Sequence, residues 1–174
     1  MTALCKIYII GFMGSGKSTA GRRLASDLEW SFIDLDRKIE EYTVMKIPEI
    51  FSVHGEEYFR EVEARVLKNL EPETNTVVST GGGTPCFGDN MSHMLRTGLT
   101  IYLKMTPEQL KNRLSRSSSE RPLLKNISND KLQDYIEEKL AEREHWYNRA
   151  EIIIDGLYGD STFLLSVVKK SILH

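Results

Sequence analysis

Gly11-Phe12-Met13-Gly14-Ser15-Gly16-Lys17-Ser18 decides the reading of this chain. The stretch meets the phosphate-binding pattern G-x-x-x-x-G-K-[ST] at every position, and it stands between the apolar run Ile7-Tyr8-Ile9-Ile10 and a helical pattern. Glycines let the backbone turn tightly and aim successive N–H groups into one concavity, where the N-terminus of the following helix adds partial positive charge. That is a seat for the phosphates of a nucleotide. Gly14, Ser15, Gly16, Lys17, Ser18 and Thr19 line it, with Lys17 reaching the β/γ-phosphates and Ser18 offering its hydroxyl to a magnesium ion. The competing reading is a glycine-rich turn that matches by chance.

Outward from this stretch, 174 residues suit one compact domain with a core large enough to need no disulfide or metal staple. A formal charge of -2 and the lack of a long basic block argue against a protein built to hold nucleic acid. Cys5 and Cys86 show no metal spacing; Cys5 is expected inside the first strand as a small hydrophobe. No apolar run reaches membrane-spanning length and the chain enters its phosphate motif almost at once, so a cytoplasmic protein with no membrane attachment is expected.

Leu24, Ala25 and Leu28 continue the pattern as an amphipathic helix. Ser31 to Asp36 then reads as a short strand with Asp34 and Asp36 on one face, at the sheet edge where open parallel sheets bind ligands. Asp36 is alternatively the N-cap of the next helix. From Ile47 to Leu70 two helical patterns break near His54-Gly55, and Glu56, Arg60 and Glu63 share one stripe of the second. That stripe reads on spacing alone as a solvated, ion-paired face.

Thr76 to Ser79 is a strand that runs into Gly81-Gly82-Gly83, where close backbone approach and unusual φ values suggest a ligand cradle and a flexible linker is the alternative. The strand lacks the terminal Asp of the usual metal-binding pattern, so Asp34 becomes the candidate metal ligand. Leu99 to Leu103 is another strand, and Thr106-Pro107 opens a capped helix. Arg113, Arg116 and Arg121 bracket a serine-rich stretch that reads as a lid over phosphates or as a plain exposed loop. Arg143 continues the apolar stripe of a helix over Asn129 to Tyr147, so it needs an internal carboxylate or a ligand anion. Ile152-Ile153-Ile154 is read as a last buried strand, followed by a closing helix.

These pieces, in order and nearly end to end, resemble the shikimate kinases of the small P-loop nucleoside-monophosphate-kinase-like group. The resemblance rests on Gly11 to Ser18, the pair in Asp34-Leu35-Asp36, Ile47 to Phe51 with Gly55 to Arg60, Gly81-Gly82-Gly83, Arg121 to Leu124, and Arg143 ahead of Tyr147. It implies an α/β fold, a P-loop three-layer α/β/α sandwich with a central parallel sheet of about five strands and a mobile lid. The single domain over 1–174 would include substrate-binding helices about 36–63 and a lid about 115–126. The implied reaction passes the γ-phosphoryl of MgATP to the 3-hydroxyl of shikimate, toward chorismate and the aromatic amino acids, with Mg2+ as cofactor and a monomer as the working unit.

Carried over by position, Lys17 and Arg121 steady the transferring phosphate, and Ser18 and Asp34 serve the metal. Asp36 orients or deprotonates the acceptor hydroxyl, with Arg60, Gly82, Gly83 and Arg143 holding shikimate and Arg113 lying against adenine. Glu63 is then available to orient Arg60. A gluconate-type kinase of the same group is the competing enzyme, but it leaves Asp36, Arg60 and Arg143 unexplained. A nucleotide switch is the competing class, weakened by the absence of a guanine-specific N-K-x-D motif.

Overall fold

The computed structural model describes residues 5–116, 124, 127–156 and 161–172. Arg121 and most of the expected lid lie outside the described residues. Five strands, β1 (Lys6–Ile10), β2 (Ser31–Asp34), β3 (Thr76–Ser79), β4 (Leu99–Lys104) and β5 (Ile152–Asp155), form one sheet in the order β2-β3-β1-β4-β5. Every pairing is parallel.

Alternation along β1 explains the layers, because successive side chains of a strand point to opposite faces. Ile7 and Ile9 pack with Leu24, Ala25, Leu164 and Val168, which belong to α1 (Lys17–Leu28) and α7 (Ser161–Ile172). Tyr8 and Ile10 enter a larger cluster on the other face. That cluster draws on α2 (Leu35–Thr43), α3 (Ile47–Lys68), α4 (Asn90–Thr97), α5 (Pro107–Ser115) and α6 (Leu132–Tyr147). The sequence-predicted three-layer α/β/α sandwich is therefore observed, and β1 reads as a continuous apolar run because both its faces are covered.

The helix after β1 packs on one face of the sheet and the helix after β3 on the other. The carboxyl ends of these neighbouring strands thus open a crevice, the usual ligand position in open α/β sheets. The phosphate loop and the glycine turn enter that crevice from its two sides.

Several local expectations change. β2 stops at Asp34, and Leu35 begins α2. Asp34, not Asp36, is the N-cap: its Oδ1 accepts from the Arg37 N–H at 3.4 Å, and Asp36 sits in the first turn. Cys5 precedes β1 and is exposed. β5 is an edge strand, so Ile153 is 48% exposed while Ile154 is 4% exposed. The α6 helix starts at Leu132, three residues after the expected Asn129.

Other expectations hold. Gly55 breaks α3 with φ +81 and ψ 175, and α5 has a full capping box between Thr106 and Gln109. Among the described residues no helix is long and apolar enough to cross a membrane.

Leu24 is fully buried between α1 and the sheet. Leu24→Ala is expected to destabilise the fold by about 3 kcal/mol through lost burial and a residual cavity. Thr106→Ala, which removes one cap, is expected to cost about 1 kcal/mol. Urea unfolding checks both, and equal losses would contradict the assignment of Leu24 to the core.

Candidate active site

The phosphate loop takes its shape from positions that disfavour side chains. Gly14 and Gly16 have φ of +82 and +91, and a Cβ on Gly14 would lie 2.8 Å from Leu114. Lys17 is 8% exposed, and its Nζ donates to the Phe12 carbonyl at 2.9 Å, so the ammonium lies across the loop. Arg113, on α5, packs against the same loop: a Cβ on Gly16 would lie 3.1 Å from its Nη2, and its Nη1 points at the Ser15 carbonyl at 3.5 Å. A cleft of about 320 Å³ opens here, with Lys17, Ser18, Thr19 and Arg113 in its wall.

Three oxygens meet at the mouth of β2 and β3. The Ser18 hydroxyl donates to Asp34 Oδ2 at 2.9 Å and lies 3.0 Å from the Ser79 hydroxyl. Asp34 and Ser79 are register partners across β2 and β3. No group of three or more His, Cys, Asp or Glu able to hold a metal exists among the described residues. A hard cation that keeps most of its water and takes phosphate oxygens needs no such group, and a hydroxyl beside one carboxylate fits magnesium.

The larger cleft, about 660 Å³, runs from this point over α2 and α3. Its apolar walls include Pro48, Phe51 and Phe59, and its charged end holds Arg60, Glu63 and Arg143. Arg60 pairs with Glu56 through Nη2 and stacks on Phe87, with Cζ 3.4 Å from the ring centroid. Arg143 is 8% exposed beneath the cleft. Arg60 Nε and Arg143 Nη1 are buried with no hydrogen-bond partner among the described residues. The ion-paired-face reading of the α3 stripe therefore holds for Glu56 and Arg60 but not for Glu63, which is only 2% exposed.

Glu63 accepts from the Thr84 hydroxyl at 2.6 Å. Burial pushes its carboxyl up to about 7, and the Asp36 charge adds to the rise, while Thr84, Arg60 and Arg143 act against it.

Gly81-Gly82-Gly83 lines the larger cleft, and the expected unusual φ values are not found: none of the three has a positive φ. What excludes side chains is close approach. A Cβ on Gly81 would lie 2.8 Å from Glu63 Oε1 and 3.3 Å from Asp36 Oδ1, and one on Gly82 would lie 2.9 Å from the Met13 backbone nitrogen. The Tyr147 hydroxyl donates to the Gly82 carbonyl at 2.6 Å, tying the end of α6 to the turn. Burial raises the Tyr147 phenol far above its ordinary range, so it stays a donor.

The two clefts share Met13, Asp36, Gly81 and Gly82. Lys17, Ser18, Asp34, Asp36, Arg60, Gly82, Gly83 and Arg143 thus come to one continuous groove, with Arg113 at its phosphate end. Ser79 and Phe87 were not anticipated, and Tyr147 was named only as part of the resemblance, with no role. Ser79 stands where a metal-binding Asp was missed, and Tyr147 follows Arg143 by one helical turn.

Known proteins agree with this geometry. A family model described as shikimate kinase matches residues 13–170. A shikimate kinase of Parabacteroides distasonis is 41% identical over 151 residues, 87% of each chain. The crystal structure of a shikimate kinase from Bacteroides thetaiotaomicron superposes with a TM-score of 0.81 at 41% identity, covering 88% of each chain. One from Acinetobacter baumannii, in complex with shikimate, gives a TM-score of 0.87 at 33% identity over 98% of this chain and 94% of that one. With its P-loop, parallel five-stranded sheet and matching relatives over most of its length, this chain belongs to the shikimate kinases, a family of ATP-dependent phosphotransferases.

Proposed function

We propose that the two clefts hold the two substrates of one phosphoryl transfer. MgATP lies over Gly14 to Thr19 and shikimate lies in the larger cleft. The γ-phosphoryl passes to the 3-hydroxyl, giving shikimate 3-phosphate and ADP. The observation that carries this reading is the shared wall of Met13, Asp36, Gly81 and Gly82, which puts a carboxylate at the junction of a phosphate site and a cation-lined acceptor site.

Phosphoryl transfer asks a protein mainly for alignment and charge neutralisation. Lys17 leaves the Phe12 carbonyl for the phosphates, and loop N–H groups complete their seat. Ser18 and Asp34 would hold magnesium, and the bound ion would screen charge on the phosphate oxygens. Arg121 enters on sequence resemblance alone, as a guanidinium carried to the transferring phosphate by the lid. Arg113 flanks the phosphate loop and extends toward the nucleotide's base.

At the other end Arg60 and Arg143 take the acceptor carboxylate, since planar guanidinium forks bind carboxylates in defined geometry. Their unpartnered buried donors support that role. Gly82 and Gly83 supply backbone contacts to the ring. Asp36 accepts a hydrogen bond from the acceptor hydroxyl and takes its proton as the new O–P bond forms. A monomer acting as a single domain, with no nucleic acid or membrane, completes the proposal.

ADP release in a coupled assay tests the reading. Shikimate is expected to stimulate it strongly and gluconate not at all; stimulation by gluconate would instead support the competing sugar-acid kinase. Asp36→Asn should lower kcat by roughly 100-fold or more with a smaller change in KM. Unchanged turnover would remove Asp36 from the chemistry.

Lys17→Ala and Arg121→Ala should act chiefly on kcat. Arg60→Lys should raise the KM for shikimate about tenfold because a point charge replaces a fork, and an unchanged KM would argue against the clamp.

A pH test follows from Glu63. Its folded-state value of about 7 lies above the ordinary 4.5, so its proton stabilises the fold fully below about pH 4.5, and that contribution is lost as pH rises through 7. The melting temperature of the ligand-free enzyme should fall by a few degrees between pH 5 and pH 7.5, and Glu63→Gln should abolish that part of the slope. Parallel slopes in the two proteins would contradict the burial argument.

A further inference from the structure

Phe87 belongs to no element of the reaction scheme, yet it stands between two cavities. Its ring lines the acceptor cleft on one side and a smaller cavity of about 310 Å³ on the other, together with Arg60 and Arg143. The Arg60 guanidinium carbon is 3.4 Å from the ring centroid, which is stacking distance. We propose that Phe87 is a positioning residue for the carboxylate clamp, fixing the plane of the Arg60 guanidinium by stacking. The inference rests on the reading of Arg60 as a ligand of the acceptor carboxylate.

The geometry favours this role for three reasons. An arginine side chain carries large rotamer freedom, and a fork that must meet a carboxylate in plane loses affinity when its plane wanders. A ring against the face restricts that plane while consuming none of the N–H donors, which all lie in the plane of the fork. The Glu56 carboxylate, by contrast, takes Nη2 from one edge and fixes position without covering the face.

The ring is itself well held. It follows the 3-10 turn Thr84–Cys86, its carbonyl accepts from the Asn90 N–H at 3.2 Å, and Asn90 is anchored in turn by its Nδ2 donating to the Thr84 carbonyl at 3.0 Å. On the glycine side, a Cβ at Gly83 would lie 3.1 Å from Phe87 Cε2, so the third glycine leaves room for the ring. The glycine turn therefore does two things: Gly82 packs on the phosphate loop, and Gly83 admits the ring that stacks on Arg60.

Steady-state kinetics on Phe87→Leu, Phe87→Tyr, Arg60→Ala and the Phe87→Leu/Arg60→Ala pair test this. Phe87→Leu should raise the KM for shikimate about tenfold with kcat and the KM for ATP within about twofold, and Phe87→Tyr should restore the wild-type KM. In the Arg60→Ala background Phe87→Leu should add nothing, because the coupling passes through the guanidinium. A shikimate analogue with the carboxylate reduced to a hydroxymethyl group should bind the wild type and Phe87→Leu equally.

If Arg60→Ala raises the KM and Phe87→Leu does not, the inference falls and the clamp stands. If neither raises it, the clamp itself falls and takes the inference with it. A Phe87→Leu protein that loses kcat and KM for both substrates together would mark Phe87 as a packing residue only, and would also overturn the proposal.

Discussion

The constraint on which the groove depends is the contact between the backbones of Gly82 and Met13, where an added Cβ would come within 2.9 Å of a peptide nitrogen. Through it, the turn that follows β3 rests on the loop that follows β1. Both loops leave neighbouring parallel strands at the same sheet edge, but the helices beyond them go to opposite faces, which leaves the crevice open. A side chain at Gly82 would wedge the two loops apart and separate the two clefts. The Tyr147 hydrogen bond to the Gly82 carbonyl presses from the other side, so α6 also registers on this contact and brings Arg143 with it.

Charge is distributed along the groove to suit two anionic substrates. Lys17 and Arg113 gather at the phosphate end, and Arg60 and Arg143 at the far end. The carboxylates of Asp34 and Asp36 lie between them. Glu63 sits beneath the arginine pair, where its burial, its hydrogen bond to Thr84 and the nearby Asp36 all act on one proton. A buried carboxyl among cations is a costly arrangement if its partners leave. Arg60 and Arg143 therefore also help to keep Glu63 in place.

How much of this was legible depended on the range of the interaction. Gly11 to Ser18 could be read because the backbone itself imposes the motif, and Arg143 because a cation on an apolar stripe demands an anion. β1 was legible from its unbroken apolar run. The end of β2 was misjudged by two residues: alternation of Ile33 and Leu35 favoured a longer strand, but the Asp34 side chain caps α2 and starts the helix early. The glycines were correctly singled out: close approach holds and the unusual φ values do not, while the groups that crowd them, Glu63, Asp36, Met13 and Phe87, depend on tertiary contacts invisible in sequence. Ser79 and Phe87 were missed for the same reason. Ser79 acts across 61 residues on Ser18, and nothing in Cys86-Phe87-Gly88 announces a ring stacked on Arg60.

A crystal structure of the enzyme with shikimate, ADP and magnesium tests the central claim most directly, since that claim is about where two ligands meet. The account predicts the shikimate carboxylate within hydrogen-bond distance of both Arg60 and Arg143. It also predicts the ring hydroxyl at Asp36, and the metal at Ser18 and Asp34 with ADP phosphates on the Gly14 to Ser18 loop. Shikimate bound with its carboxylate toward the phosphate loop, or in a cleft that does not share Asp36 with the nucleotide, would contradict it.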